Sequence, residues 1–189
     1  MDTHGIITHN DAERFPILEV ISQDCGMPIS ETDLSYIEHM DAMLTQLGDG
    51  AAGLAAVQIG YPKRIFLLRQ DDANRVFINP EVTTRSAEMR RRPEACLSLP
   101  GLVVRTERPK ELTLKYLDLS GQEHTEKFAG FWAQAVCHEM DHLNGVLIAK
   151  HLQEQYDNQP RRTSFGMKLT PQRRKAISRR RSKKRNASR

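Results

Sequence analysis

Residues 137–145, CHEMDHLNG, place His138 and His142 four positions apart, with Glu139 directly after the first histidine. On a helix, side chains four residues apart lie one above the other, so two imidazoles at this spacing can bind one metal ion. Glu139 is rotated by about 100° from His138 around such a helix, so its carboxylate can reach a water on the metal without being a ligand. This pattern is typical of a metal-dependent hydrolase whose glutamate is the general base.

A catalytic metal site keeps three protein ligands and one open position, so a third ligand must come from elsewhere in the chain. One large group of zinc proteases has a histidine six residues after the second one, but Ile148 occupies that position here. Other zinc proteases use a downstream glutamate, and Glu154 is too near for that arrangement. Cys96 is a soft candidate because thiolates bind zinc and ferrous iron well, although a lone cysteine is more often an inert buried thiol. The residues alone leave the third ligand open.

The elements that position these residues follow from apolar spacing and turn signals. Ser30 begins an early helix that ends at Gly48, and the small, glycine-bearing segment 49–60 is predicted to be a loop or strand edge that lines a site. Segments 64–69 and 75–82 are predicted to form a hairpin, and segments 102–107, 111–119 and 123–128 are predicted to be further strands. From Gly130 an apolar helical stripe returns and carries HEMDH. These elements predict an α+β fold of short, mostly antiparallel strands around the late helix.

Charge divides the 189-residue chain into two parts. Residues 161–189 hold 13 of the 28 Lys and Arg and no acid, so residues 1–160 hold 15 basic and 24 acidic residues, a balance of −9. We therefore predict a catalytic domain over 1–160 and a basic tail over 161–189 that is disordered or conditionally helical. A nucleic-acid-binding protein is an alternative function, although a tail with Phe165 as its one aromatic ring predicts phosphate attraction without base readout.

The remaining composition bears on the compartment. Three scattered cysteines, Cys25, Cys96 and Cys137, do not form a disulfide framework, which favours a reducing compartment. No signal-peptide pattern and no run of eighteen apolar residues is present in the sequence. The prediction is an unprocessed protein without a membrane segment, located in the cytoplasm or in an organelle.

Three segments together resemble the peptide deformylase family, which removes the N-formyl group from the initiator methionine of nascent bacterial and organellar proteins. They are AAGLAAVQ (51–58), EACLS (94–98) and HEMDH (138–142), in the order and spacing of the family motifs. The resemblance runs from about residue 17 to residue 152 and implies one divalent metal ion, ferrous iron by preference, with zinc or nickel as substitutes. By the same resemblance, Cys96, His138 and His142 bind the ion and a water completes the site.

The resemblance also implies roles around the metal. Glu139 takes the proton of the water and passes it to the leaving amine, while Gln58 and the backbone N–H of Leu97 hold the developing oxyanion. The substrate backbone is expected to lie along Gly53, Ala52 and Ala95. Two further features are expected to be structural, namely Glu94 and a pair formed by Arg108 and Asp141.

Three positions depart from the family pattern: Ala51 and Ala95 replace motif glycines, and Cys137 replaces a glutamine. A positive φ at Ala95 would cost about 1 kcal/mol, and Cys137 could compete for the metal, although adjacent helical side chains diverge. The expectation is an active enzyme with altered substrate fit. The alternatives are a deformylase-like protein with reduced or lost activity, or a metallopeptidase. Expected partners are formyl-methionyl nascent peptides and, through the basic tail, ribosomal RNA.

Overall fold

The computed structural model describes residues 5–71 and 73–152. The tail predicted over 161–189 and the domain boundary predicted at residue 160 lie outside this range. In the described part, the early helix α1 spans Glu31–Leu47. A capping box at Ser30 begins it, because the Ser30 side chain accepts a hydrogen bond from the backbone N–H of Asp33, whose carboxylate accepts from Ser30 in return. The helix ends at Gly48, which has a φ of 54°, so both predicted ends are confirmed.

Within the described residues, seven strands form two antiparallel sheets. The strands are β1 Gly53–Ala55, β2 Ile65–Gln70, β3 Ala73–Arg85, β4 Met89–Ala95, β5 Val103–Pro109, β6 Glu111–Leu117 and β7 Glu123–Ala129. The larger sheet has the order β1-β2-β3-β6-β7, and β4 pairs with β5 in a separate two-stranded sheet. The predicted hairpin is present, with Phe66 opposite Phe77. The predicted α+β class with mostly antiparallel strands is confirmed.

The sequence did not predict β4. Every residue of this strand is exposed except Glu94, so it has no alternating apolar face. The segment predicted as a loop or strand edge, 49–60, contains β1 between two 3₁₀ turns, Gly48–Gly50 and Ala56–Ile59. Its side chains from Leu54 to Ile59 are all buried, which anchors this segment in the core.

The late helix α2 spans Phe131–Leu143. It contacts β1, β2 and β7 of the large sheet and β5 of the small one. The core between α2 and the large sheet includes Phe66, Phe77 and Phe128 from the strands with Val136 and Leu143 from the helix. After α2, residues 148–152 are helical again. None of the helices in the described ranges combines the length and the apolar character that a membrane crossing requires.

Candidate active site

Cys96, His138 and His142 meet at the junction of α2 and the end of β4. One potential ligand atom from each residue lies within 4.8 Å of the other two, and Cys96 Sγ is 3.3 Å from His142 Nε2. Cys96 follows β4 directly, and both histidines lie on α2. One thiol and two imidazoles form a donor set that suits zinc or ferrous iron, and their closeness allows one ion to be shared. The residues therefore fit a metal ion.

Glu94 fixes the orientation of His138. The Nδ1 atom of His138 donates to Glu94 Oε2 at 3.2 Å, which leaves Nε2 for a metal. Glu94 also accepts two hydrogen bonds from Arg108, each 2.9 Å long, and one from Thr106 at 2.6 Å. Burial by itself would raise the pKa of Glu94, but the bonds from Arg108, His138 and Thr106 outweigh it and hold the pKa well below its usual value.

The two histidines have opposite pKa shifts. Burial lowers the pKa of His142 well below its usual value, so this imidazole is neutral, the form that binds a metal. Burial also opposes charge on His138, but the hydrogen bonds with Cys96 and Glu94 raise its pKa to about 10. The anionic groups around His138 thus favour positive charge at this point of the site. The same surroundings would stabilise a bound cation.

Glu139 is buried beside the histidines, and its carboxylate is poorly satisfied. Its Oε2 atom has no hydrogen-bond partner among the described residues. Burial raises the pKa of Glu139 to about 7; Glu94 adds to this shift, and His138 opposes it. Gly53 lies directly against the carboxylate, since a Cβ on Gly53 would be 2.6 Å from Glu139 Oε1. A carboxyl group whose pKa is near neutral can both accept and release a proton.

Gln58 is held in one orientation by its own neighbours. Its Oε1 atom accepts from the backbone N–H of Ala55 at 2.9 Å. Its Nε2 atom donates to Ser98 Oγ at 3.2 Å and lies 3.9 Å from Cys96 Sγ. The amide NH₂ therefore faces the side of the site where Cys96 lies. Sequence reasoning assigned no role to Ser98, although Ser98 ends the EACLS motif.

A cavity of about 400 Å³ opens onto these groups. Its walls come from segment 50–53, from 93–97 and 99–103, and from α2. The predicted substrate-binding residues Gly53, Ala52 and Ala95 all line it, as do Gln58, Leu97, Cys96, His138 and Glu139. His142 lies behind this wall, 1% exposed. The structure thus brings every predicted site residue to one cavity or directly behind its wall.

Two of the three departures from the family pattern, Ala95 and Cys137, are accommodated. Asp71 and Asn79 are the non-glycine residues of positive φ in the described ranges, so Ala95 does not carry the backbone cost considered above. Cys137 is not part of the three-residue ligand group. Burial raises its pKa to about 11, which keeps it a thiol. Cys25 is tied to Asn79 through its backbone N–H and carbonyl, at 2.7 and 3.0 Å.

The predicted pair of Arg108 and Asp141 is also present. The Nη1 atom of Arg108 lies 2.7 Å from Asp141 Oδ2, while Nε and Nη2 of the same guanidinium bind Glu94. Arg108 therefore joins a carboxylate on α2 to the carboxylate that orients His138.

Comparison with known proteins agrees with this geometry. The sequence model of the polypeptide deformylase family matches residues 5–158. The peptide deformylase of Caulobacter vibrioides is 38% identical over 158 residues, which cover 80% of this chain and 89% of that protein. The crystal structure of peptide deformylase from Thermotoga maritima superposes with a TM-score of 0.70 at 31% identity, covering 78% of this chain and 95% of that one.

A class I type b peptide deformylase from Acinetobacter baumannii, solved with Met-Ala-Ser bound, has a TM-score of 0.68 at 28% identity and covers 78% of this chain and 96% of its own. Sequence, fold and site thus agree over the whole described range, and the chain belongs to the peptide deformylase family, metal-dependent hydrolases that remove the N-formyl group from the methionine of nascent polypeptides.

Proposed function

We propose that this chain is an active deformylase that hydrolyses the formyl amide of formyl-methionyl peptides, with a divalent cation held by Cys96, His138 and His142. The observation that carries the proposal is the position of Glu139, a buried carboxyl group that opens onto the same cavity as the Cys96 and His138 donors. We further propose ferrous iron as the native ion and zinc or nickel as substitutes, because the donor set suits all three. When bound, the cation supplies Lewis acidity and lowers the pKa of a water.

Glu139 moves the proton in this proposal. Its carboxylate accepts a proton from the attacking water at one oxygen and then delivers that proton to the leaving amine nitrogen. Burial raises the pKa of Glu139 above its usual value, which supports uptake of the proton from the water.

Gln58 and Leu97 stabilise the oxyanion. As negative charge builds on the formyl oxygen, Gln58 Nε2 and the backbone N–H of Leu97 donate to it. The bond from the Ala55 N–H to Gln58 Oε1 supports this role, since it fixes the amide before the reaction begins. Loss of one such donor typically costs about 10²–10³ in rate.

The peptide is proposed to lie along Gly53, Ala52 and Ala95, with backbone pairing of the kind that adds a strand to a sheet edge. Gly53, Ala52 and Ala95 all line the cavity, which supports this placement. The small side chains leave room for a peptide backbone between the two segments.

Glu139→Gln tests the assignment of the base. The variant should retain one equivalent of metal, because no ligand changes, but hydrolysis of formyl-Met-Ala-Ser should fall by about 10²–10⁴-fold. Unformylated Met-Ala-Ser serves as the control substrate and should stay intact with the native enzyme. Near-native turnover by Glu139→Gln would refute the mechanism, and loss of metal would make Glu139 a structural residue instead.

For the basic segment 161–189, we propose contact with ribosomal RNA, which would bring the catalytic domain, residues 1–160, to nascent chains in the cytoplasm or an organelle. The support is the 13 basic residues and no acid in that segment. If about 6–10 charges engage phosphate, affinity should fall roughly 10³–10⁵-fold between 50 and 200 mM salt.

Deletion of 161–189 tests the ribosome contact. It should abolish co-sedimentation with ribosomes and leave hydrolysis of formyl-Met-Ala-Ser unchanged. Co-sedimentation that survives both the deletion and high salt would place the contact on residues 1–160.

A further inference from the structure

A chain of polar contacts leads from the candidate metal ligand His138 to a histidine outside the family motifs. His138 binds Glu94, Glu94 binds Arg108, and Arg108 binds Asp141, as described above. Asp141 Oδ2 in turn lies 3.0 Å from Nε2 of His151. A carboxylate only accepts hydrogen bonds, so Nε2 of His151 donates to it. The contacts thus run without a gap from His151 to Nδ1 of His138.

The turn after α2 places His151 at the end of this chain. The backbone N–H groups of Asn144 and Val146 both donate to the carbonyl of Asp141, at 3.0 and 2.8 Å. Gly145 has a φ of 69°, and a Cβ there would collide with the carbonyl of Glu19. The helical residues 148–152 follow this turn, and His151 among them contacts Asp141.

The members of the network differ in exposure. The Glu94 and Arg108 side chains are 5% and 9% exposed, whereas those of Asp141 and His151 are 22% and 23% exposed. Asp141 is thus the point at which water can compete for the network. The N–H groups of Arg108 and His151 both meet Oδ2 of Asp141, so His151 restrains the one carboxylate that could turn toward solvent.

We propose that His151 is a positioning residue for the metal centre. It holds Asp141 on Arg108, and Arg108 then holds Glu94 against His138, so that Nε2 of His138 stays directed at the ion. This inference rests on the proposed metal site. Outer partners of metal-ligating histidines typically contribute 10- to 100-fold to metal affinity, and a residue that acts through three intermediates, Asp141, Arg108 and Glu94, belongs at the lower end of that range.

A second histidine–aspartate pair, His124 and Asp118, serves as a matched control for the pair of His151 and Asp141. His124 Nε2 lies 2.7 Å from Asp118 Oδ2, with side-chain exposures of 36% and 34%. None of the contacts that these two residues make in the described structure involves Glu94, Arg108 or a candidate ligand. Loss of this pair removes the same kind of bond without disturbing His138.

The experiment measures Co²⁺ binding to the full-length metal-free protein, by chelator competition and by the thiolate-to-cobalt absorption band. His151→Leu should weaken Co²⁺ binding by about tenfold. His151→Gln, whose amide can donate in place of Nε2, should restore affinity to within about threefold of the native value. His124→Leu should leave Co²⁺ affinity unchanged, and circular dichroism checks the fold of each variant.

Further variants separate the possible failures. In an Asp141→Ala background, which removes the shared acceptor, His151→Leu should have little additional effect, because its path to His138 is already broken. Native Co²⁺ affinity in His151→Leu, or a full additional loss in the Asp141→Ala background, overturns the inference. If Cys96→Ser binds Co²⁺ as tightly as the native chain, the proposed metal site itself is wrong. If His151→Leu does not fold, His151→Gln and His151→Asp test the inference instead. Native Co²⁺ affinity in His151→Gln together with weakened Co²⁺ affinity in His151→Asp supports the inference, and equal affinity in the two variants contradicts it.

Discussion

Gly53→Ala tests whether backbone space, rather than turn geometry, is the reason for a glycine at this position. A Cβ at Gly53 would lie 2.6 Å from Glu139 Oε1 and 2.9 Å from Leu68 Cδ2. An ordinary contact to Oε1 requires about 3.4 Å, and Leu68 is fully buried, so the carboxylate must move by roughly 0.8 Å. Misplacement of a catalytic group by about 1 Å can cost about 10²-fold in rate. We therefore expect kcat for formyl-Met-Ala-Ser to fall by about 10²-fold.

The assay measures kcat and KM separately, with metal content determined in the same preparation. A displaced Glu139 lowers kcat, whereas a clash with substrate alone raises KM. Gly50→Ala is the matched control, because Gly50 also lines the cavity and a Cβ there meets nothing within 4 Å. A Gly53→Ala enzyme with native kcat, or a Gly50→Ala enzyme that is equally impaired, would refute the steric reasoning.

Three further changes follow from single contacts. Ser30→Ala removes the capping box of α1 and should lower the free energy of unfolding, measured by urea denaturation, by about 1 kcal/mol. Unchanged deformylation in this variant would show that the site is intact. Glu94→Gln weakens the acceptor for His138 and should reduce Co²⁺ affinity by about 10- to 100-fold; native affinity in a competition titration would contradict this. Ala95→Gly should change kcat/KM by less than about tenfold, because Ala95 is not held at positive φ. A much larger gain in kcat/KM would mean that the native chain is catalytically impaired.

The two helices were predictable from local sequence because their signals are local. Ser30 and Asp33 form the capping box within four consecutive residues, and the apolar spacing of α2 lies within one helix. Strand β4 has no such signal. Its position depends on pairing with β5, in which Glu94 lies opposite Val104. Pairing of one strand with another is not encoded in a local apolar pattern, even when the two strands are consecutive in the chain.

The third donor of the ligand group shows the same limit. His138 and His142 share a helix, so their spacing predicts their closeness. Cys96 is 46 residues away from His142 along the chain, and no periodicity connects the end of a strand with a helix. The resemblance to a family, rather than the chemistry of the residues alone, made Cys96 a predicted ligand. The structure supplies the closeness that the sequence could not.

The clearest difference between sequence and structure concerns two glutamates, Glu94 and Glu139. Both are buried, at 7% and 3% exposure, and neither sequence context reveals its ionisation. Arg108 and Thr106 on β5 donate to Glu94 and hold its pKa low, so it remains a carboxylate that orients His138. No comparable donor reaches Glu139 Oε2 from the described residues, and burial raises the pKa of that group to about 7. Partners from another strand therefore decide that one carboxylate fixes a ligand while the other is able to exchange a proton.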